Sequence, residues 1–203
     1  RAILTGRITQ RAETITVSTE LVDVRDNKQI WGEQYNQKVS DLSALPRDIA
    51  TKITSNLRLT VSGEARNRML KHYTDNPEAY QLYLKGRYYW NKRNAESLSK
   101  AGDYFNQAIV RDPSYALAYS GLADSYMLIP EYGGGSAREF YRKAEAAARK
   151  ALELDDALAE AHTSLGEVSA YQWKWNEAEK EFLRANELNP NYATAHQWYS
   201  ETP

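Results

Sequence analysis

The sequence predicts an α+β chain: a small α/β part made of antiparallel strands plus a helix, followed by an all-α stack of paired helices. Three observations carry that expectation. Residues 1–40 alternate apolar and polar side chains in period two. From Leu42 the period becomes helical, and from residue 77 onward one pattern of small, aromatic and proline residues keeps returning.

The strands come first. In ITVSTELVDV, Ile15, Val17, Thr19 and Leu21 share one face, which is the alternation of a half-buried strand. AILTGRITQ before it reads as its partner. RDNK (residues 25–28), with Asp26 and Asn27 at its centre, is a turn signal. QIWGEQYNQ then forms a third strand carrying Trp31 and Tyr35. Short turns between three strands give an antiparallel meander.

Next comes a helix. Leu42, Leu45, Ile49, Ile53 and Leu57 make an apolar stripe at helical spacing. Pro46 fits only in a first turn, which places the start near Ala44. Three strands and one helix over about 60 residues build a thin core, so residues 1–60 read as part of a small α/β domain. Residues 61–76 are expected to be a helical connector, with Ser62 as candidate N-cap. Asn76 and Pro77 then restart the chain as N-cap and first helical residue.

Composition narrows the function. The chain has 203 residues, 42% of them hydrophobic and 26% charged, with a formal net charge of −1. A balance near zero gives no global field for nucleic acid or an anionic membrane. No apolar run approaches the ~20 residues of a membrane span. The absence of cysteine excludes disulfides and thiolate chemistry. Fifteen Tyr and five Trp against three Phe favour surfaces that touch partners, and equally suit stacked helices. Arg1 is not an initiator, and both ends are expected to continue into a longer protein.

The repeated pattern is specific. Ala101, Phe105, Ala108 and Pro113 are spaced four, three and five, and so are Ala178, Phe182, Ala185 and Pro190. Ala144, Ala148, Ala151 and Asp156 keep that spacing with Ala for the aromatic and Asp for the proline. First helices in front of them carry Leu82, Gly86 and Tyr89; Tyr119, Leu122, Ala123 and Tyr126; and His162, Leu165 and Gly166. Asn176 with Glu179, and Ser136 with Glu139, read as capping boxes of second helices. This pattern resembles the tetratricopeptide repeat (TPR), a helix–turn–helix unit of about 34 residues. The units are 77–115, 116–158 and 159–192, with a truncated fourth at 193–203. The first has a slightly longer inter-helix turn, and the second carries an insertion containing PEYGGGS. In such arrays no pair buries its apolar face alone, so neighbours stack and small residues mark close backbone approach.

The stretch from LTGRI through ELVDVRDN and IWGEQY to the helix after DL resembles the second half of the TolB-like amino-terminal domain. The resemblance implies a bacterial signalling protein in which that domain precedes the repeats. It also implies an effector: a protein kinase, an adenylate cyclase or a winged-helix regulator. The compartment is left between bacterial cytoplasm and periplasm.

No catalytic constellation is present in the sequence. The three histidines are His72, His162 and His196. The latter two sit one repeat apart, where a metal pair is conceivable, yet they occupy positions that are Leu82 and Tyr119 in the other units. Packed histidines are the expectation. YGGGS lacks the Lys-Ser/Thr of a nucleotide loop and reads as a flexible insertion. No hydrolase elbow, kinase signature set or zinc motif occurs. The chain is expected to be non-catalytic, without metal or cofactor.

The resemblance implies a concave groove lined by first helices. Its positions here are Tyr80, Tyr83, Arg87, Trp90 and Asn91; Leu117, Ser120, Asp124, Met127 and Leu128; Glu160, Thr163, Glu167 and Tyr171; and Thr194, Gln197 and Glu201. The groove is thus aromatic at its amino-terminal end and acidic at the other, which favours a basic or neutral protein or peptide. Tyr80 and Trp90 are also candidates for packing within the chain. Tyr83, Arg87 and Asp124 stand where chaperone-binding members carry Lys and Asn, which argues against a carboxylate clamp. Two further readings stay open: homodimerisation through the truncated repeat, and ligand sensing near Trp31 and Tyr35.

Overall fold

A computed structural model of the chain describes residues 2–38, 44–56, 63, 71 and 73–202. It contains two compact units, Arg1–Pro77 and Glu78–Pro203. Leu42, Leu57, Ser62, His72 and most of the expected connector lie outside the described residues.

In the first unit, β1 (Ala2–Arg11), β2 (Thr14–Asp23) and β3 (Lys28–Lys38) form an antiparallel sheet in the order β1-β2-β3. Val17 stands opposite both Ile8 and Tyr35. Leu21 pairs with Trp31 while Val22 pairs with Gln29, which leaves Ile30 as a one-residue bulge. Asn27, in the expected turn, takes a positive φ of 48°. Helix α1 (Leu45–Asn56) starts one residue after Ala44, with Pro46 in its first turn. Ile15, Val17, Tyr35 and Leu45 form the buried core, and Ile49 packs against it. That core leaves β1 uncovered. Leu4 and Ile8, on the same sheet face as Leu21 and Val17, stay 48% and 71% exposed.

The second unit is helical. Its pairs are α2 (Pro77–Trp90) with α3 (Ala95–Arg111), α4 (Ala116–Leu128) with α5 (Ala137–Leu154), and α6 (Ala159–Tyr171) with α7 (Trp175–Leu188). Helix α8 (Ala193–Glu201) follows and packs on α6 and α7. Pro77 opens α2, as its fixed φ suits a first helical residue.

The recurring small residues are core. Ala101, Phe105 and Ala108, then Ala144, Ala148 and Ala151, then Ala178, Phe182 and Ala185 are all 0% exposed. Phe105 lies between two first helices. A Cβ added at Gly86 would stand 2.5 Å from its ring, and one at Gly121 would stand 2.6 Å from it. Only glycine admits the ring from both sides.

The turn between units is the same each time. The N–H of Asp112, Asp155 and Asn189 donates to the carbonyl of Ala108, Ala151 and Ala185. The Oδ1 of each then accepts from the N–H two residues on, at Ser114, Ala157 and Asn191. Each turn therefore satisfies helix-end carbonyls and re-aims the chain without a fixed residue type at the proline site.

Two capping expectations need correction. Helix α7 begins at Trp175 with Lys174 as N-cap, so Asn176 lies inside the first turn. The cause is the tight turn before it, where Trp173 adopts a φ of +62° and Lys174 N–H donates to the Ser169 carbonyl. Ser136 does cap α5, but through its backbone carbonyl, which accepts from Glu139 and Phe140 N–H. The side-chain cap belongs to Asn94, whose Oδ1 accepts from Ser97 N–H at 2.9 Å.

Candidate functional site

The first helices α4, α6 and α8 start in the same way, after Tyr115, Leu158 and Tyr192. Equal starts place Asp124, Glu167 and Glu201 at one level, each nine residues after its cap. Arg87 holds that level on α2, immediately after Gly86 as Glu167 follows Gly166. One ionisable row thus crosses four helices in the order positive, negative, negative, negative.

Its first two members neutralise each other. Arg87 Nη1 lies 3.2 Å from Asp124 Oδ2, and Ser164 Oγ donates to Asp124 Oδ1 at 2.7 Å. Burial pushes the Asp124 carboxyl up to about 6, with Arg87 and the Ser164 hydroxyl pulling it back. The Arg87 guanidinium also lies over the Trp90 ring at 4.4 Å, with Arg93 at 3.7 Å. Tyr83 rests on the rings of Phe105 and Tyr115, and burial raises its phenol far above the usual range.

The second two members are not neutralised. Glu167 is 8% exposed, and burial together with Glu131 and Glu201 pushes its carboxyl up to about 8. Beside it a cavity of about 270 Å³ opens between the α6–α7 turn and the end of α8. Tyr171, Trp173 and Trp175 line it with the carboxylates of Glu167 and Glu201. Tyr171 packs against Tyr141 with centroids 4.5 Å apart and the rings tilted by 33°, and its hydroxyl donates to Glu131.

The groove positions divide accordingly. Tyr80, Tyr83, Arg87 and Glu160 are half-buried, while Asn91, Gln197, Glu201 and Tyr171 are exposed. Ser120, Asp124 and Thr163 are 1%, 1% and 0% exposed, and Trp90 is 2% exposed. These four pack inside the helix layer and offer a partner no surface in this arrangement. Small polar residues fit between close first helices, and Thr163 returns its hydroxyl to the Ala159 carbonyl of its own helix. Met127 and Leu128 are buried core as well.

The two described histidines, His162 and His196, brace turns. His162 Nε2 meets the Asp156 carbonyl at 3.1 Å and His196 Nε2 meets the Pro190 carbonyl at 2.8 Å. His162 Nδ1 pairs with Glu181. No group of three or more His, Cys, Asp or Glu able to hold a metal occurs among the described residues. In the PEYGGGS insertion, Gly133 and Gly135 take positive φ and Gly134 N–H donates to the Ile129 carbonyl.

Three solved structures share this arrangement of helix pairs. The Arabidopsis OM64 TPR domain superposes with a TM-score of 0.50 at 19% identity, covering 62% of this chain and 93% of that one. The Sgt2 TPR domain from Aspergillus fumigatus gives 0.50 at 21% identity, covering 65% and 81%. The first TPR of Spaghetti (RPAP3), bound to HSP90 peptide SRMEEVD, gives 0.50 at 21%, covering 65% and 95%. The helical unit is a TPR-like repeat fold.

No protein-family model matches the chain. In sequence the TPR-like chain is distantly related to "Putative adenylate cyclase 3" of Rhizobium meliloti (strain 1021), at 25% identity over 183 residues. The match takes in 88% of this chain and 31% of the relative's length, so the chain spans under a third of that protein.

Sequence reading missed Trp173, Trp175, Glu131 and Tyr141. The signal for the first two was available: WKW sits at the inter-helix turn of a TPR-like unit, where glycine suits the left-handed backbone.

Proposed function

We propose that this chain is a non-catalytic interaction and regulatory region of a larger bacterial signalling protein, and that its first-helix face holds a basic or neutral peptide segment. The observation that carries this reading is the unbalanced row. Arg87 is paired with Asp124, and the other two members of the row, Glu167 and Glu201, are acids, as is the groove position Glu160. A face of one sign steers and selects partners of the other. The peptide-bound Spaghetti domain supports a peptide as occupant, and the distant adenylate cyclase relative supports an effector in the same protein. The TolB-like character of residues 1–60, and the division of the chain into 1–60, 61–76 and 77–203, belong to the same proposal.

The test is selection of random peptides on the intact chain, beside variants Glu160→Lys and Tyr171→Ala. Both side chains can change without opening the core, unlike Arg87 or Trp90. Enrichment of Lys- or Arg-containing peptides that Glu160→Lys reverses supports the reading. Enrichment of acidic peptides, or equal selection by all three proteins, overturns it.

A second reading, self-association, draws on the uncovered sheet face at Leu4 and Ile8. It predicts a concentration-dependent mass by sedimentation that Ile8→Lys abolishes. An unchanged mass in that variant removes it.

A further inference from the structure

The row of ionisable residues ends in a cavity whose chemistry goes beyond a generally acidic face. Glu167 is more than nine-tenths buried and lines the cavity, and no lysine or arginine among the described residues lines it. The two charged groups that push on Glu167 are both acids: Glu131 from the segment after α4, and Glu201 from α8. The nearest lysine in sequence, Lys174, turns to Glu177 at 3.9 Å. Two carboxylates, of Glu167 and Glu201, therefore line one space, with no cation of the described residues among its walls. Near neutral pH the buried Glu167 keeps its proton, and a cation that enters the space takes that proton's place beside the carboxylate.

The walls are aromatic. Trp173 and Trp175 meet edge to face with centroids 5.4 Å apart and an interplanar angle of 74°. These two rings, close to a right angle, line the same volume with Tyr171 as a third aromatic wall. Trp173 is 78% exposed and holds a φ of +62°, a backbone region unfavourable for a bulky side chain. Packing does not account for its position, because the ring covers little of the core. Strain of this kind gathers where a side chain is held for contact.

We propose that this cavity is a binding site for an alkylammonium cation, with Glu167 and Glu201 as counter-charges and Trp173, Trp175 and Tyr171 as an aromatic cage. About 270 Å³ holds a butylammonium-sized group with its stem. The cation comes either from a lysine side chain of a peptide or from a free amine. The proposal rests on the groove reading only in sharing Glu167 and Tyr171 with it.

The experiment follows the indole N–H resonances of Trp173 and Trp175 in the intact chain during titration with n-butylammonium, with 1-pentanol as neutral control. A parallel titration uses a blocked pentapeptide with one central lysine, against its norleucine counterpart. Saturable shifts with the cation and none with pentanol support the site. Glu167→Gln is expected to weaken the cation about tenfold, and Trp173→Ala about fivefold. Both variants keep the fold, since one is isosteric and the other removes an exposed ring, and the amide spectrum checks this directly. Tighter binding of the lysine peptide than of butylammonium supports the site with a protein side chain as source, and the reverse order supports it with a free amine. Equal shifts from pentanol, or full affinity in Glu167→Gln, overturn it. Peptide selection that responds to Glu160→Lys while the cation titration stays silent removes the cage and leaves the groove. Cation binding without any basic peptide enrichment does the opposite.

Discussion

Arg87 and Asp124, on neighbouring first helices, form an ion pair of 3.2 Å in which the carboxylate is 99% buried and the guanidinium only partly so. Removing the arginine leaves a buried charge. Arg87→Met is expected to cost about 3 kcal/mol at pH 7 in urea denaturation. The Asp124 carboxyl is pushed up to about 6, so at pH 5 it is mostly neutral and the pair contributes little. The penalty should therefore shrink markedly at pH 5. A penalty equal at both values would assign the loss to packing of the arginine stem.

Phe105 gives the second prediction. Alanine is the better helix former by about 1 kcal/mol. Yet the methyl of Gly86→Ala or Gly121→Ala would meet the Phe105 ring at under 3 Å. Each variant should lose about 1–3 kcal/mol instead. Adding Phe105→Leu should recover part of that loss. Thermal melting of the four proteins settles it, and a rise in Tm for either single variant contradicts the close approach.

Glu167 predicts a pH dependence. It faces Glu131 from the segment after α4, Glu201 from α8, Tyr171 of its own helix and Tyr141 of α5. Its carboxyl rises from 4.5 to about 8 in the fold. The folded chain thus binds a proton that the unfolded chain has released, and stability falls as pH climbs toward 8. Asp124 has its midpoint at about 6, so of these two carboxyls it is Glu167 that dominates the window from pH 7 to 8. Glu167→Gln should flatten stability across it and be the more stable protein at pH 8, by an amount on the order of a few kcal/mol. Parallel slopes in the two proteins would refute this.

Trp173 sits where glycine suits the backbone. Trp173→Gly should raise stability by about 0.5–1 kcal/mol while weakening ammonium binding. A loss of stability would show that the ring packs more than its exposure indicates.

The repeat core was legible because its signal is steric and local. The spacing of Ala101, Phe105 and Ala108 is dictated by one helix face, and so are the matching residues of the other units. The meander was legible for the same reason, since period two places Ile15, Val17, Thr19 and Leu21 together. Asn176 was misread because the N-cap depends on where the preceding turn ends, and Trp173 ends it early. Ser120 and Thr163 follow from inter-helix distance, which no spacing rule carries. The cavity was hidden for a deeper reason: its walls come from a turn, a helix end and the next helix, which meet only after stacking.

The Arg87–Asp124 pair also bears on how such a chain can change over generations. Repeat arrays grow and shrink by copying or losing whole units, and the shared alanine cores would tolerate either. The charge row would not. Losing α2 and α3 strands Asp124, copying α4 and α5 adds a second buried aspartate with no arginine beside it, and exchanging the order of units parts Asp124 from Arg87. Each unit of this array therefore has an address, and a single ionisable residue on its first helix spells it.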